Sequence, residues 1–260
     1  MIRSMARRKG MMSALAILLC AGAAWAAGGE VMPRSWLSGV TARTGMVLQT
    51  LEITGLDRTS RRSVLARLHV DRGMPLGGID LQAMKQRLEG LPWVARARVT
   101  RSLPGRLIVA ITEREPRALW QRDGTLHVVD RDGTPITDRG ISRFAHLRLV
   151  VGPGANRALD QLDRMLAHMP ELAPRVARAV RVGDRRWDLL FDNGIRLRLP
   201  ADDAPAYDAA RALARFRDLE AQYRLLSREV QVIDLRLPDR LVMRVTEAGQ
   251  RMMAGEEKAM

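Results

Sequence analysis

The chain has 260 residues, 47% of them hydrophobic and 28% charged, with a formal net charge of +14. That composition excludes a disordered chain and supplies enough apolar material for two modest domains. The positive charge does not by itself make a nucleic-acid binder, because lysine occurs only at Lys9, Lys85 and Lys258, the arginines are spread through every segment, and aromatics at 4% give no stacking platform.

In chain order, Arg3, Arg7, Arg8 and Lys9 precede an uncharged run over residues 11–27, with Met11, Leu15, Leu18, Leu19 and Trp25 among its apolar positions. As a helix this run would extend about 26 Å, just short of a typical hydrocarbon core, with its basic flank held in the cytoplasm. Ala24-Trp25-Ala26 also matches a small-x-small cleavage site, so the segment alone reads either as a transmembrane anchor or as a cleaved signal peptide. Either reading places residues 28–260 outside the cytoplasmic membrane. The single Cys20 lies inside this run, so no intrachain disulfide or cysteine cluster is available, and Leu19 stands where a lipidation site takes a small residue. Residues 28–46 carry Gly28-Gly29 and Pro33 without periodicity and read as a linker.

A first domain is expected over residues 47–116. Val47 to Ile53 reads as a strand ending at Gly55, after which Asp57 to Ser60 can cap a short helix with Val64, Leu65 and Leu68 inward. After Pro75 and Gly77-Gly78, Asp80 is a natural N-cap for a helix with Leu81, Met84 and Leu88 on one face, ended by Gly90 in the left-handed conformation. Val94 to Thr100 and Leu107 to Thr112 then form an antiparallel hairpin around Pro104-Gly105. The first run should turn Ala95, Ala97 and Val99 inward and Arg96, Arg98 and Arg101 to water. The second, apolar on both faces, reads as a central strand covered on each side. The order β-α-α-β-β is a small sheet with two helices on one face.

A second domain, over residues 117–246, is expected to be a mixed α/β unit on a largely antiparallel sheet. Ala118 to Trp120 and Leu126 to Val129 flank the turn Gln121 to Gly124, and Asp132-Gly133 turns the chain again. Leu147 to Val151 is a further strand, and Asn156 is placed to cap a helix carrying Leu159, Leu162 and Leu166. Arg178 to Val182, Trp187 to Phe191 and Ile195 to Leu199 follow, the last two joined by Asn193-Gly194, the strongest hairpin signal in the chain. A longer helix should start at Asp202 or Asp203, hold Pro205 in its first turn, and run to about Leu226 with Ala209, Leu213, Phe216 and Leu219 inward. Val230 to Leu237, the turn Pro238-Asp239 and Leu241 to Val245 are the last strands, and residues 247–260 read as a disordered tail. The fold class is α+β.

No chemistry-bearing set emerges. His69, His127, His146 and His168 fall in different elements, and no GxSxG elbow, P-loop, dinucleotide fingerprint or HExxH occurs, so neither an enzyme nor a cofactor is expected. Trp93 and Trp187 read as packing residues, and Asp234-Leu235-Arg236 as an ion pair or a partner contact. What remains is backbone: a mixed sheet ending in a C-terminal strand leaves an edge of unpaired N–H and C=O groups on which another chain can add a strand.

The β-α-α-β-β pattern resembles the POTRA domain. LEITGL near its start, GLPWVARARVTRSLPGRLIVAITEREP at its end, Ala118-Leu119-Trp120 with HVVDRDGTPI, and DLR at Asp234 to Arg236 together resemble the FtsQ/DivIB family of bacterial cell-division proteins across nearly the whole chain. The resemblance implies that the N-terminal segment stays as a single-pass inner-membrane anchor, with a cytoplasmic tail over residues 1–10 and exported domains enriched at the division site. It implies a non-enzymatic scaffold whose last strands and preceding helix receive an extended segment and helix of FtsB, bringing FtsL with it. The matching positions are Arg236, Leu237, Leu241, Val242, Met243, Arg244 and Val245, with Arg185 where the family meets an acidic partner. Leu237 stands where some relatives have an aromatic residue. Two further readings compete with this one: a POTRA-bearing outer-membrane assembly or secretion factor, which needs a downstream β-barrel or a removed signal peptide, and an exported hydrolase, which needs a nucleophile–base–orienter set.

Overall fold

The computed structural model describes residues 46–202, 204 and 207–257. The cytoplasmic tail, the anchor positions Met11, Leu15, Leu18, Leu19 and Trp25, and the linker up to residue 45 lie outside them; among the described residues no helix is long and apolar enough to cross a membrane. The chain divides into two compact units, the first taking residues up to Thr54, Arg61–Leu88 and Ala97–Ile111, the second Gly55–Ser60, Glu89–Arg96 and Thr112 onward.

The first unit has the expected element order. β1 (Thr50–Thr54), α1 (Arg61–Leu68), α2 (Leu81–Glu89), β2 (Val94–Ser102) and β3 (Arg106–Glu113) give a three-stranded sheet ordered β1-β3-β2, with β1 parallel to β3. The run from Leu107 is therefore the central strand. Its two faces differ, however: Leu107, Val109 and Ile111 are buried while Ile108 and Ala110 are only half-buried, so the strand is covered on one side. Asp80 caps α2 as its position predicts, its Oδ1 accepting from the N–H groups of Gln82 and Ala83 at 3.1 Å, a device worth about 1 kcal/mol. Gly90 follows the helix without a positive φ, so it is not the left-handed terminator expected. Leu65 is 43% exposed because Val64 and Leu68, four residues apart, already form the buried stripe of the two-turn α1. In β2, Ala97 is buried but Ala95 faces solvent, as an edge strand permits. Arg101 is exposed as expected, and its guanidinium donates to the carbonyls of Leu76 (2.8 Å) and Ile79. Gly105 has no room for a side chain, since a Cβ there would meet the Gln49 side chain and the Val47 carbonyl at 3.0 Å; its own carbonyl accepts from Gln49 and Thr50.

The second unit is a nine-stranded sheet ordered β12-β11-β10-β9-β8-β7-β4-β5-β6. Its strands are β4 (Ala118–Arg122), β5 (Thr125–Val129), β6 (Pro135–Thr137), β7 (Arg148–Val151), β8 (Val176–Val182), β9 (Arg186–Phe191), β10 (Arg196–Ala201), β11 (Val230–Asp234) and β12 (Val242–Val245). Most neighbours are antiparallel, while β4–β7, β7–β8 and β10–β11 run parallel, so the sheet is mixed. Residue parity separates two cores. α3 (Leu159–Leu166) and α4 (Ala209–Tyr223) share a buried cluster with Trp120, Ala179, Trp187, Leu189, Leu197 and Ile233. Leu119, Val128, Ile136 and Phe144 form a smaller cluster, the alternation of Leu119 with Trp120 putting it on the opposite face. Trp187 is fully buried, with the Arg181 guanidinium 5.2 Å above its ring, which confirms packing for that residue.

Three local expectations are corrected. Asn156 does not cap α3, whose N-cap is Ala158 without a side-chain bond; its amide instead donates to the Gly133 carbonyl at 2.7 Å and ties the Asp132-Gly133 turn down. α4 begins at Ala209, with Asp208 accepting from Arg211 N–H at 2.9 Å, beyond the expected start; Asp202 pairs with the buried Arg181 instead, and Asp203 and Pro205 lie outside the described residues. The expected disordered tail begins as a helix, α5 (Glu247–Glu257), started by Thr246, whose hydroxyl accepts from Gly249 N–H at 3.0 Å.

Candidate partner-binding edge

The sheet order places β12 at one end. β12 pairs antiparallel with β11, Asp234 opposite Val242, Ile233 opposite Met243 and Val232 opposite Arg244, and among the described residues no strand pairs with its other margin. Successive residues of a strand present their backbone groups to alternate sides, so this margin offers donors and acceptors without a ladder partner. Its side chains are not shielded. Val242 is 51% exposed and Met243 43%, Arg244 is exposed, Val245 is half-buried, and Leu237 in the connection from β11 is 50% exposed. Edge strands are usually guarded by charge, proline or a covering element, and here Arg244 is the one charged side chain along β12.

Beside the strand lies a groove of about 270 Å³ between α4 and β12, with Leu219, Tyr223, Leu225, Leu241 and Met243 as its apolar lining. Arg215 and Arg228 flank it. Each is held by a backbone carbonyl, Arg215 by Pro238 at 2.6 Å and Arg228 by Tyr223 at 2.9 Å, so both are oriented at the rim. Tyr223 and the two arginines were not singled out from the sequence. The signal for Tyr223 was present, since Ala209, Leu213, Phe216, Leu219 and Tyr223 continue one helical stripe beyond the point where burial ends.

Arg236 is held by Asp234 through its Nε, 2.9 and 3.0 Å from the two carboxylate oxygens, and a terminal nitrogen at 2.7 Å; Arg198 approaches the same carboxylate at 3.7 Å. Partial burial pushes the Asp234 carboxyl up, but the hydrogen bonds from Arg236 and the charges of Arg236 and Arg198 more than offset it, leaving the group below its ordinary pKa. Asp188 and Asp234 flank Arg198 across β9, β10 and β11 in register, so the row leading to Val242 alternates in charge. Arg185, the other basic position expected, is exposed in the β8–β9 turn. It lies at the same end of the sheet as Arg236, but β9 is three strand spacings from β12, about 14 Å, so the structure does not bring Arg185 to the edge. Leu241, Val242, Met243, Arg244 and Val245 are brought together; Arg236 and Leu237 lie in the connection that precedes them. Among the described residues no group of His, Cys, Asp and Glu side chains is arranged to hold a metal ion.

Two family models match the chain: the POTRA domain, FtsQ-type, over residues 46–114, and the C-terminal region of cell division protein FtsQ/DivIB over residues 118–236. A relative from Caulobacter vibrioides named Cell division protein FtsQ is 35% identical over 207 residues, 80% of this chain and 67% of that protein. Proteins of the same name from Zymomonas mobilis and Bradyrhizobium diazoefficiens are 37% and 34% identical, and the chain covers 61% and 58% of their lengths. The first matched region takes in β1 to β3 and the second β4 to β11, while β12 (Val242–Val245) lies beyond the matched residues. The chain belongs to the FtsQ/DivIB family of bacterial cell-division proteins.

Proposed function

We propose that the protein is a non-enzymatic scaffold of the division machinery, anchored by residues 11–27 in the inner membrane with its two units exported, and that it holds FtsB, and FtsL through it, by strand addition on β12. The observation that carries this reading is the unpaired margin of β12, with Val242 and Met243 exposed beside the apolar groove lined by Leu219 and Tyr223. An extended segment added there would gain main-chain hydrogen bonds from the margin, and an adjoining helix or apolar side chain would fill the groove. The nine-stranded sheet is open, with β12 and β6 as separate ends, which favours this role over that of a barrel-bearing outer-membrane assembly factor.

Proline variants test it. The N–H groups of Val242 and Met243 point to opposite sides of β12, so proline at one position removes a bond to β11 and at the other removes a donor offered to the partner. Val242→Pro and Met243→Pro are therefore made in parallel, with folding followed by thermal unfolding. The variant that keeps its melting profile loses pull-down of the FtsB/FtsL pair; capture at the unmodified level by that variant contradicts strand addition.

A further inference from the structure

We propose that a basic cleft in the second unit, at the end of the strand order opposite β12, docks an acidic peptide segment of a protein partner. The cleft has a volume of about 660 Å³ and is lined by Arg58, Trp93, Arg139, Arg143, Phe144 and His146. All of these residues fall in the second unit, to which Gly55–Ser60 and Glu89–Arg96 belong.

The placement of Arg58 is the central feature. Its guanidinium lies 4.9 Å above the Trp93 ring and 5.5 Å from that of Phe144, the two rings being 6.2 Å apart. A guanidinium stacked on a ring uses its flat face and keeps its in-plane N–H donors for an anion. The loop that carries it is fixed independently of that side chain, because the Glu113 carboxylate accepts the backbone N–H groups of Asp57 (3.2 Å), Arg58 (2.8 Å) and Thr59 (2.6 Å). On the other wall, Gly140 at φ 64° starts the single 3-10 turn Ile141–Phe144, which puts Arg139 before the turn and Arg143 inside it. Arg139 and Arg143 make no ion pair among the described residues. The one carboxylate in the lining, Asp57, is 88% exposed and reaches Arg58 only at 3.8 Å.

Three guanidinium groups against one solvated carboxylate call for an anionic ligand. The aromatic surface decides its class. Arg58 covers the Trp93 face and Phe144 is buried, so the exposed ring of the lining is the small imidazole of His146 and no large aromatic platform for a base or a sugar is offered. Carboxylate-to-guanidinium forks remain, which is the chemistry of consecutive Asp or Glu side chains on a protein segment.

The test uses the full chain in detergent, with a fluorescein-labelled hexaglutamate peptide followed by anisotropy at low salt. Arg139→Glu/Arg143→Glu is compared with Arg62→Glu/Arg164→Glu, which removes the same charge from exposed positions on α1 and α3. The first pair should weaken binding at least about tenfold, as expected for loss of one good charge-assisted contact, and the second less than about twofold. Equal weakening by both pairs, or no binding by the wild-type chain, overturns the site. A thymidylate hexanucleotide that binds more tightly than the peptide with the same dependence on Arg139 and Arg143 overturns the assignment to an acidic protein segment.

Discussion

Asp234 shows how a single side chain links the interior of the sheet to its exposed margin. Its carboxylate takes the Arg236 guanidinium through three contacts of 2.7–3.0 Å and sits opposite Val242 in the ladder. Because its folded pKa is depressed, the stabilisation it contributes is complete above the ordinary aspartate value and is lost as pH falls through the lower folded value. Asp234→Asn should therefore cost about 1 kcal/mol at neutral pH and abolish the part of the acid-side decline in stability that this group causes, measured by urea unfolding between neutral and strongly acidic pH. An unchanged pH profile in the variant would show that the pair does not stabilise the fold. The DLR sequence made Arg236 visible, and its pairing with Asp234 followed from spacing. The part played by Arg198 did not, because it depends on the parallel register of β10 with β11, which no local pattern records.

At the scale of elements, turns and caps were legible wherever local chemistry decides them. Asp123 and Gly124 both have positive φ, as a two-residue hairpin turn of this kind requires, and Asp80 caps α2 from the predicted position. Where several local solutions compete, tertiary pairing chooses. Asp202 and Asp208 are both N-cap residues by type; Asp202 pairs with the buried Arg181, and Asp208 caps α4. Asn156 is likewise drawn from the helix to the Asp132-Gly133 turn. A Cβ on Gly133 would lie 2.3 Å from the Asn156 carbonyl oxygen, and the residue's φ of 76° is strained for any other side chain. Gly133→Ala should thus destabilise the second unit by about 1–3 kcal/mol, read as a fall in melting temperature, whereas Gly124→Ala, where the added atom meets nothing, should cost only the φ penalty. Equal losses at the two sites would remove the close approach as the cause.

On the scale of the whole molecule, the sequence pointed to two α+β units and to a sheet that ends near the carboxyl terminus, and it did so through alternation, helical stripes and turn residues. The order of the nine strands was not legible, since the chain returns parallel from β4 to β7 after β5, β6 and a 3-10 turn, and from β10 to β11 across α4. That order separates the two surfaces proposed to bind partners. β12 lies at one end of the strand order, and β6, with the basic cleft near it, at the other. Both surfaces sit in a chain of net charge +14, so acidic partners would be favoured at long range and the contacts themselves would set which one stays.

Amide hydrogen exchange on the full chain, with and without the FtsB/FtsL pair, tests the strand-addition account most directly. In the free protein, the N–H groups of Val242–Val245 that face away from β11 should exchange fast, and binding should slow them by about tenfold or more while Thr125–Thr137 at the other end of the sheet stay unchanged. Outward amides of β12 that are already slow in the free protein, or that remain fast in the complex while protection rises elsewhere, would contradict it.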